Sequence, residues 1–229
     1  MKLLLFDIDG TLLHANGSGR HAVENALADV CGHPVSTEGI HFSGKTDPQI
    51  IVEILQANGL NSDRVDALLT DALDAYERVA STALDPNDID LLPGADALLR
   101  TLAGRTDVQL ALLTGNIERM AYHKLGAVEL DHHFPFGAFG SDHADRYQLP
   151  TVALQRAHDH TGHPFRGEDT IIIGDTQHDI RCGRGVGARA VGVCTGRYTR
   201  DDLAPHNPDV LLDDLTDAHH FLQSVLDNH

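Results

Sequence analysis

Lys2-Leu3-Leu4-Leu5-Phe6 runs without interruption into Asp7-Ile8-Asp9-Gly10-Thr11, and this junction constrains the fold more than any other feature. A short continuous apolar run has to be covered on both faces, so it reads as a buried parallel strand, and its closure by Asp and Gly marks the entry to a loop. Similar runs recur at Val108–Leu113, Pro135–Phe139, Thr170–Ile173, Ala190–Cys194 and Asp209–Leu212. Helical periodicity separates most of them, at Gly94–Ala103, Ile117–Leu125, Thr151–His160, His178–Gly183 and Leu215–Leu226. Strands alternating with helices predict an α/β fold, a parallel sheet with helices on both faces.

One stretch breaks the alternation. Between His14 and Asp90 the patterns are helical, with no strand: Arg20–Val30, Pro48–Ala57 behind a Thr46/Asp47 cap, and Asp63–Ala83. Asp85-Pro86-Asn87-Asp88 then breaks the chain before Leu91-Leu92-Pro93-Gly94 returns to the sheet. The expected organisation is a core of residues 1–13 and 91–229, with a helical cap of residues 14–90 inserted after the first strand. Such an insertion lies over that strand's carboxyl end, where open α/β sheets bind ligands.

Composition excludes several partners. With 17 basic against 34 acidic residues in 229, the net charge of −17 repels nucleic acid and anionic lipid. No signal peptide and no membrane-spanning run is apparent, so the expected location is the cytoplasm. Cys31, Cys182 and Cys194 fit no zinc spacing and read as small buried apolar residues. The pairs His132-His133 and His219-His220 read as solvated surface rather than as metal ligands. Gly183-Arg184-Gly185-Val186-Gly187 follows a helix and precedes a strand, the wrong order for dinucleotide binding.

Chemistry concentrates at strand ends. Asp7 and Asp9 sit at a turning strand terminus, where paired carboxylates can serve as metal ligands, as nucleophile with acid/base, or as both; an Asp-rich turn is the plain alternative. Phe6-Asp7-Ile8-Asp9-Gly10-Thr11-Leu12-Leu13 resembles the first signature of the haloacid dehalogenase-type phosphatases. Leu112-Leu113-Thr114-Gly115-Asn116 resembles the second, with the Thr114 hydroxyl and the Gly115 and Asn116 N–H groups at a helix start forming a phosphate cradle. Ile171-Ile172-Ile173-Gly174-Asp175 with Asp179 resembles the acidic metal motif. Three carboxylates converging in one crevice would repel each other without a cation. The basic third signature matches loosely: Arg146 has the right location and a planar guanidinium suited to phosphate and carboxylate together, and Lys124 is its rival.

The resemblance spans the whole chain, cap included. It implies a Rossmann-like core, Mg²⁺ held by Asp7, the Asp9 carbonyl and Asp175 with Asp179 behind them, and an aspartyl-phosphate on Asp7. Asp9 would be the general acid and base, with Thr114, Gly115, Asn116 and Arg146 on the phosphate. It further implies a small phosphorylated metabolite as substrate, phosphoglycolate phosphatases sharing this layout, and a monomer or homodimer. A sugar-phosphate mutase and a non-catalytic phospho-ligand-binding protein are the alternatives. His14, Arg20 and the loop Gly44-Lys45-Thr46-Asp47 are candidate cap contacts, with Arg20 and Lys45 taken as substrate-binding.

Overall fold

In the first strand, β1 (Lys2–Phe6), Leu4 and Phe6 join one hydrophobic cluster while Leu3 and Leu5 join another on the opposite face. This is the consequence of period-two alternation in a strand buried on both sides. A computed structural model of the protein describes residues 1–83 and 86–226. After β1 come β2 (Leu13–His14), α1 (Ser18–Cys31), α2 (Asp47–Ala57), α3 (Ser62–Ala83), β3 (Asp90–Leu91), α4 (Ala95–Ala103), β4 (Val108–Leu113), α5 (Glu118–Ala127) and β5 (Gly137–Ala138). The chain continues through α6 (Leu149–Thr161), β6 (Thr170–Gly174), α7 (Gln177–Cys182), β7 (Arg189–Val193), α8 (Arg200–Leu203), β8 (Val210–Leu212) and α9 (Ala218–Phe221).

Six strands form one parallel sheet in the order β5-β4-β1-β6-β7-β8. Helices α4, α5 and α9 cover the Leu4/Phe6 face, and α6 and α7 cover the Leu3/Leu5 face. The protein is therefore an α/β chain with a Rossmann-like sheet. Since β1 lies between β4 and β6, the carboxyl ends of these three strands border one crevice.

Helices α1, α2 and α3 share a separate apolar cluster containing Leu27, Ile51, Ile54 and Tyr76. Ile117 and Met120 from the region of α5 belong to the same cluster, so the three helices pack directly on the sheet side of the molecule. The expectation of no strand between His14 and Asp90 needs correcting at its edges. Leu13–His14 pairs antiparallel with Asp90–Leu91, a two-residue ribbon too short to show any periodicity. Of the Asp85–Asp88 break, Asp85 lies outside the described residues and Pro86–Asp88 form a 3-10 turn. The last expected helix starts three residues late, because Thr216 N–H and its hydroxyl both bond Asp214 and hold that turn out of the helix. From Leu222 to Leu226 it is wound as a π-helix. No helix among the described residues is long and apolar enough to cross a membrane.

Candidate active site

Asp7 is carried out of β1 by a main-chain bond to the next strand, its N–H donating to Ile173 O at 2.9 Å. Asp175 follows the end of β6, and Asp179 lies in the first turn of α7. The three carboxylates each offer an oxygen within 4.8 Å of the others, and all are buried. Gly10, at φ +85°, makes this convergence possible: a Cβ there would lie 2.5 Å from Asp175 Oδ2.

A single guanidinium faces them. Arg146, 4% exposed, pairs with Asp7 Oδ1 at 3.2 Å and also with Asp179. Asp179 Oδ2 is occupied by the Thr176 N–H at 2.9 Å and the Thr176 hydroxyl at 2.7 Å. Asp175 Oδ1 is buried with no hydrogen-bond partner among the described residues. Burial pushes the Asp7 carboxyl up to about 7, with Asp179 and Asp9 adding repulsion and Arg146 opposing it. Burial also raises Asp175 well above the carboxylate range, reinforced by Asp179 and Asp7. A partnerless acceptor among mutually repelling carboxylates fits a hard divalent cation with oxygen ligands.

Asp9 is arranged differently. Its side chain, 40% exposed, stands outside the cluster and accepts from Lys124 Nζ at 2.7 and 2.8 Å. Asn116 Nδ2 donates to Asp9 Oδ2 at 2.7 Å, and the third Lys124 donor reaches Asn116 Oδ1 at 2.7 Å. Any metal role for Asp9 therefore falls to its main-chain carbonyl. The two candidates for the basic signature occupy distinct places: Arg146 touches Asp7 and Asp179, whereas Lys124 touches Asp9.

Thr114 closes β4 and is fully buried, its hydroxyl accepting from Asn116 N at 3.3 Å and Asn116 Nδ2 at 2.8 Å. Gly115 and Asn116 were expected at a helix start, but α5 begins two residues later, at Glu118. The intervening Ile117 N–H donates to Asp47 Oδ2 at 2.8 Å. Asp47, from the first turn of α2, thus caps a helix across the crevice.

The loop before α2 lies directly on the second strand-end loop. A Cβ at Gly115 would sit 2.0 Å from the Lys45 carbonyl oxygen, so only glycine fits there. Asp47 N–H donates to Gly115 O at 2.8 Å, and the Thr46 hydroxyl donates to Ala144 O at 2.6 Å. Asp47 is buried, which pushes its carboxyl up to about 6 against the pull of Lys124 and the Ile117 N–H. Tyr76 from α3 hydrogen-bonds Asp47, and burial raises its phenol too.

Asp7, Asp9, Asp47, Tyr76, Thr114, Gly115, Asn116, Lys124 and Arg146 open on one cavity of about 280 Å³ between the three-helix layer and the sheet, which Asp175 and Asp179 do not line. Arg20 and Lys45 line it as well. Lys45 is ion-paired with Glu53. Arg20 donates to Thr37 O and Ile40 O and stacks on Phe42. His14 is not among the lining residues. The cysteines are free, with only Cys182 buried, while Cys31 and Cys194 are half-buried. His132 and His133 stack on each other at 4.0 Å and contribute to no potential metal cluster among the described residues. Sequence reasoning places Tyr76 only in the apolar periodicity of Asp63–Ala83, and Asp47 only as a helix cap and a candidate cap contact, since nothing local marks a carboxylate that works across 70 residues.

A profile of the haloacid dehalogenase-like hydrolases matches residues 4–193. The phosphoglycolate phosphatase of Pseudomonas syringae pv. tomato is 25% identical over 216 residues, covering 93% of this chain and 77% of its own. Among solved structures, CbbY from Rhodobacter sphaeroides in complex with phosphate superposes with a TM-score of 0.69 at 21% identity, covering 95% of this chain and 96% of the other. A Thermotoga maritima protein provisionally named a β-phosphoglucomutase does so with a TM-score of 0.61 at 18% identity, covering 99% of this chain and 100% of the other. The two structures show the fold alone. The profile match runs from β1 to the end of β7 and includes every carboxylate of the cluster, and on it the chain belongs to the haloacid dehalogenase-like hydrolase family.

Proposed function

We propose that the protein is a Mg²⁺-dependent phosphatase of a small phosphomonoester, working through an aspartyl-phosphate on Asp7, with phosphoglycolate as the first candidate substrate. The observation that carries the reading is the acidic cluster itself: three buried carboxylates against one guanidinium, with one Asp175 oxygen left unpartnered. Relatives named phosphoglycolate phosphatase support the substrate. The cavity volume, below the range usual for drug-sized ligands, suits a molecule of a few carbons.

Asp7, Asp175 and the Asp9 carbonyl would hold Mg²⁺, with Asp179 supporting them; when bound, the ion supplies positive charge against the phosphoryl oxygens. Residues 1–13 and 91–229 then serve as the catalytic core, and residues 14–90 as a lid that excludes water. An Asp7 oxygen attacks phosphorus, the bond from phosphorus to the ester oxygen breaks, and Asp9 gives its proton to the departing alkoxide. Asp9 then takes a proton from the water that attacks the phosphoryl group, and cleavage of the Asp7–phosphorus linkage restores the carboxylate. Arg146 offsets charge on the transferring group, and Thr114, Gly115 and Asn116 orient it. Both Asp9 oxygens accept hydrogen bonds in this structure, the arrangement suited to the second, base-catalysed half.

The test is release of inorganic phosphate from a panel of phosphorylated metabolites with Mg²⁺, with the covalent phosphoryl group trapped and mapped. Net release with label on Asp7 is expected. Conversion of a sugar phosphate to its isomer without net release would make the protein a mutase, and inactivity across the panel would leave a binding protein.

A further inference from the structure

We infer that Arg20 reads a carboxylate at the end of the substrate remote from phosphate, which narrows the substrate class to small carboxylated phosphomonoesters. This deepens the phosphatase reading of the same cavity and rests on it. Four cationic side chains line the cavity: Arg20, Lys45, Lys124 and Arg146. Three are already neutralised, Lys45 by Glu53, Lys124 by Asp9, and Arg146 by Asp7 and Asp179. Arg20 has no carboxylate within ion-pair distance among the described residues. Its bonds go to the neutral carbonyls of Thr37, at 2.9 Å, and Ile40, at 3.1 Å. Glu24, one turn along the same helix and its natural partner, is turned instead to the Thr37 hydroxyl. A guanidinium does not lose its proton, so a half-buried, uncompensated positive charge faces the cavity of a chain whose net charge is −17.

The group is also held ready. Two carbonyl bonds and the Phe42 ring, 4.1 Å from the guanidinium carbon, fix its plane. Two of the five N–H donors are used, which leaves three for a ligand. A fixed planar fork favours a planar anion and loses little side-chain freedom on binding it. Lys45, the other cap cation, would first have to leave Glu53.

The experiment compares phosphoglycolate with ethyl phosphate, which has a methyl in place of the carboxylate. Arg20→Ala should lower kcat/KM for phosphoglycolate roughly ten- to a hundredfold, through KM, as expected for loss of a charged hydrogen bond. For ethyl phosphate the change should stay under about threefold, and Lys45→Ala should not discriminate between the two. Arg20→Gln keeps a donor for the loop carbonyls without the charge, and should show the same split even if Arg20→Ala folds poorly. In parallel, phosphoglycolate should raise Tm of the wild-type protein more than ethyl phosphate does, and the excess should vanish in Arg20→Gln. Equal losses on both esters, or a Tm excess that survives the substitution, would overturn the assignment and leave Arg20 as a brace for the loop. Failure of the wild-type protein to hydrolyse either ester would remove phosphoglycolate as the substrate and leave the phosphatase reading to the wider panel, while the Tm comparison would still decide the role of Arg20.

Discussion

Asp47→Asn should stabilise this protein, and by an amount that grows with pH. Asp47 is buried between α2, α3 and α5, and its carboxyl is pushed from 3.8 to about 6. Displacement of that size corresponds to about 3 kcal/mol between the two protonation states. Because the folded-state value is the higher one, the folded protein holds this proton more tightly than the unfolded chain. The stability it contributes is complete below pH 3.8 and is lost as pH rises through about 6. Asparagine never ionises, and its amide oxygen can keep the Ile117 N–H bond seen at 2.8 Å. Urea denaturation should therefore show the variant ahead by less than about 1 kcal/mol at pH 4 and by about 3 kcal/mol at pH 7. Asp47→Ala should behave oppositely at low pH: it strands the buried Ile117 N–H, at a cost of about 1–3 kcal/mol. If Asp47→Asn is equally destabilising at pH 5 and pH 8, the negative charge itself fastens α2 to α5. Attraction to Lys124 and the helix end would then outweigh burial, and the reasoning fails.

Hydrolysis should need Mg²⁺ and be suppressed by Ca²⁺, which takes more oxygen ligands at longer distance and would engage both Asp7 oxygens; full turnover after exhaustive chelation would refute this. Arg146→Ala leaves Asp7 and Asp179 buried without their cation and should cost about 3–5 kcal/mol in urea unfolding. A loss below about 1 kcal/mol would mean that these buried ion pairs carry little of the stability of the fold. Asp9→Asn should turn over alkyl phosphates slowly yet give a burst of nitrophenol from nitrophenyl phosphate in rapid mixing, because a nitrophenolate departs without a proton. Equal loss on both esters with no burst would make Asp9 an organiser of the site rather than its acid and base.

The parts legible in the sequence are those in which neighbours along the chain are also neighbours in space. The β1 run and the β6 run announce their burial by having no polar alternate, and Asp7 and Asp175 follow from being the first charges after them. Thr46 declares the start of α2 by accepting Gln49 N–H, a local cap. What was not legible depends on pairs far apart. Lys124 and Asp9 are separated by 115 residues, and Asp47 and Ile117 by 70. Lys45 reads in the sequence as a substrate contact, but Glu53, eight residues along the chain, already answers its charge. The β2–β3 ribbon was missed because two residues are too few to show a period.

These pairings suggest how so acidic a molecule admits an anion. Exposed cationic patches would be screened by salt and answered by the surrounding carboxylates. Here most of the positive charge near Asp7 is stored in short internal pairs, with Lys124 and Arg146 each about 4% exposed. A buried lysine or arginine without a partner would be costly, and Asp9 and Asp179 supply those partners, which a bound anion would then share. On the proposed mechanism a phosphoryl group would meet Arg146 already oriented, and would lose little to reorganisation on arrival. Arg20 differs because it lies farther out, half-buried, where water still relieves an unpaired charge. A cation in that position can remain uncompensated without unfolding the cap, and is therefore free to discriminate between ligands. The depth of each charge thus separates the groups that would act on phosphorus from the one that would choose the substrate.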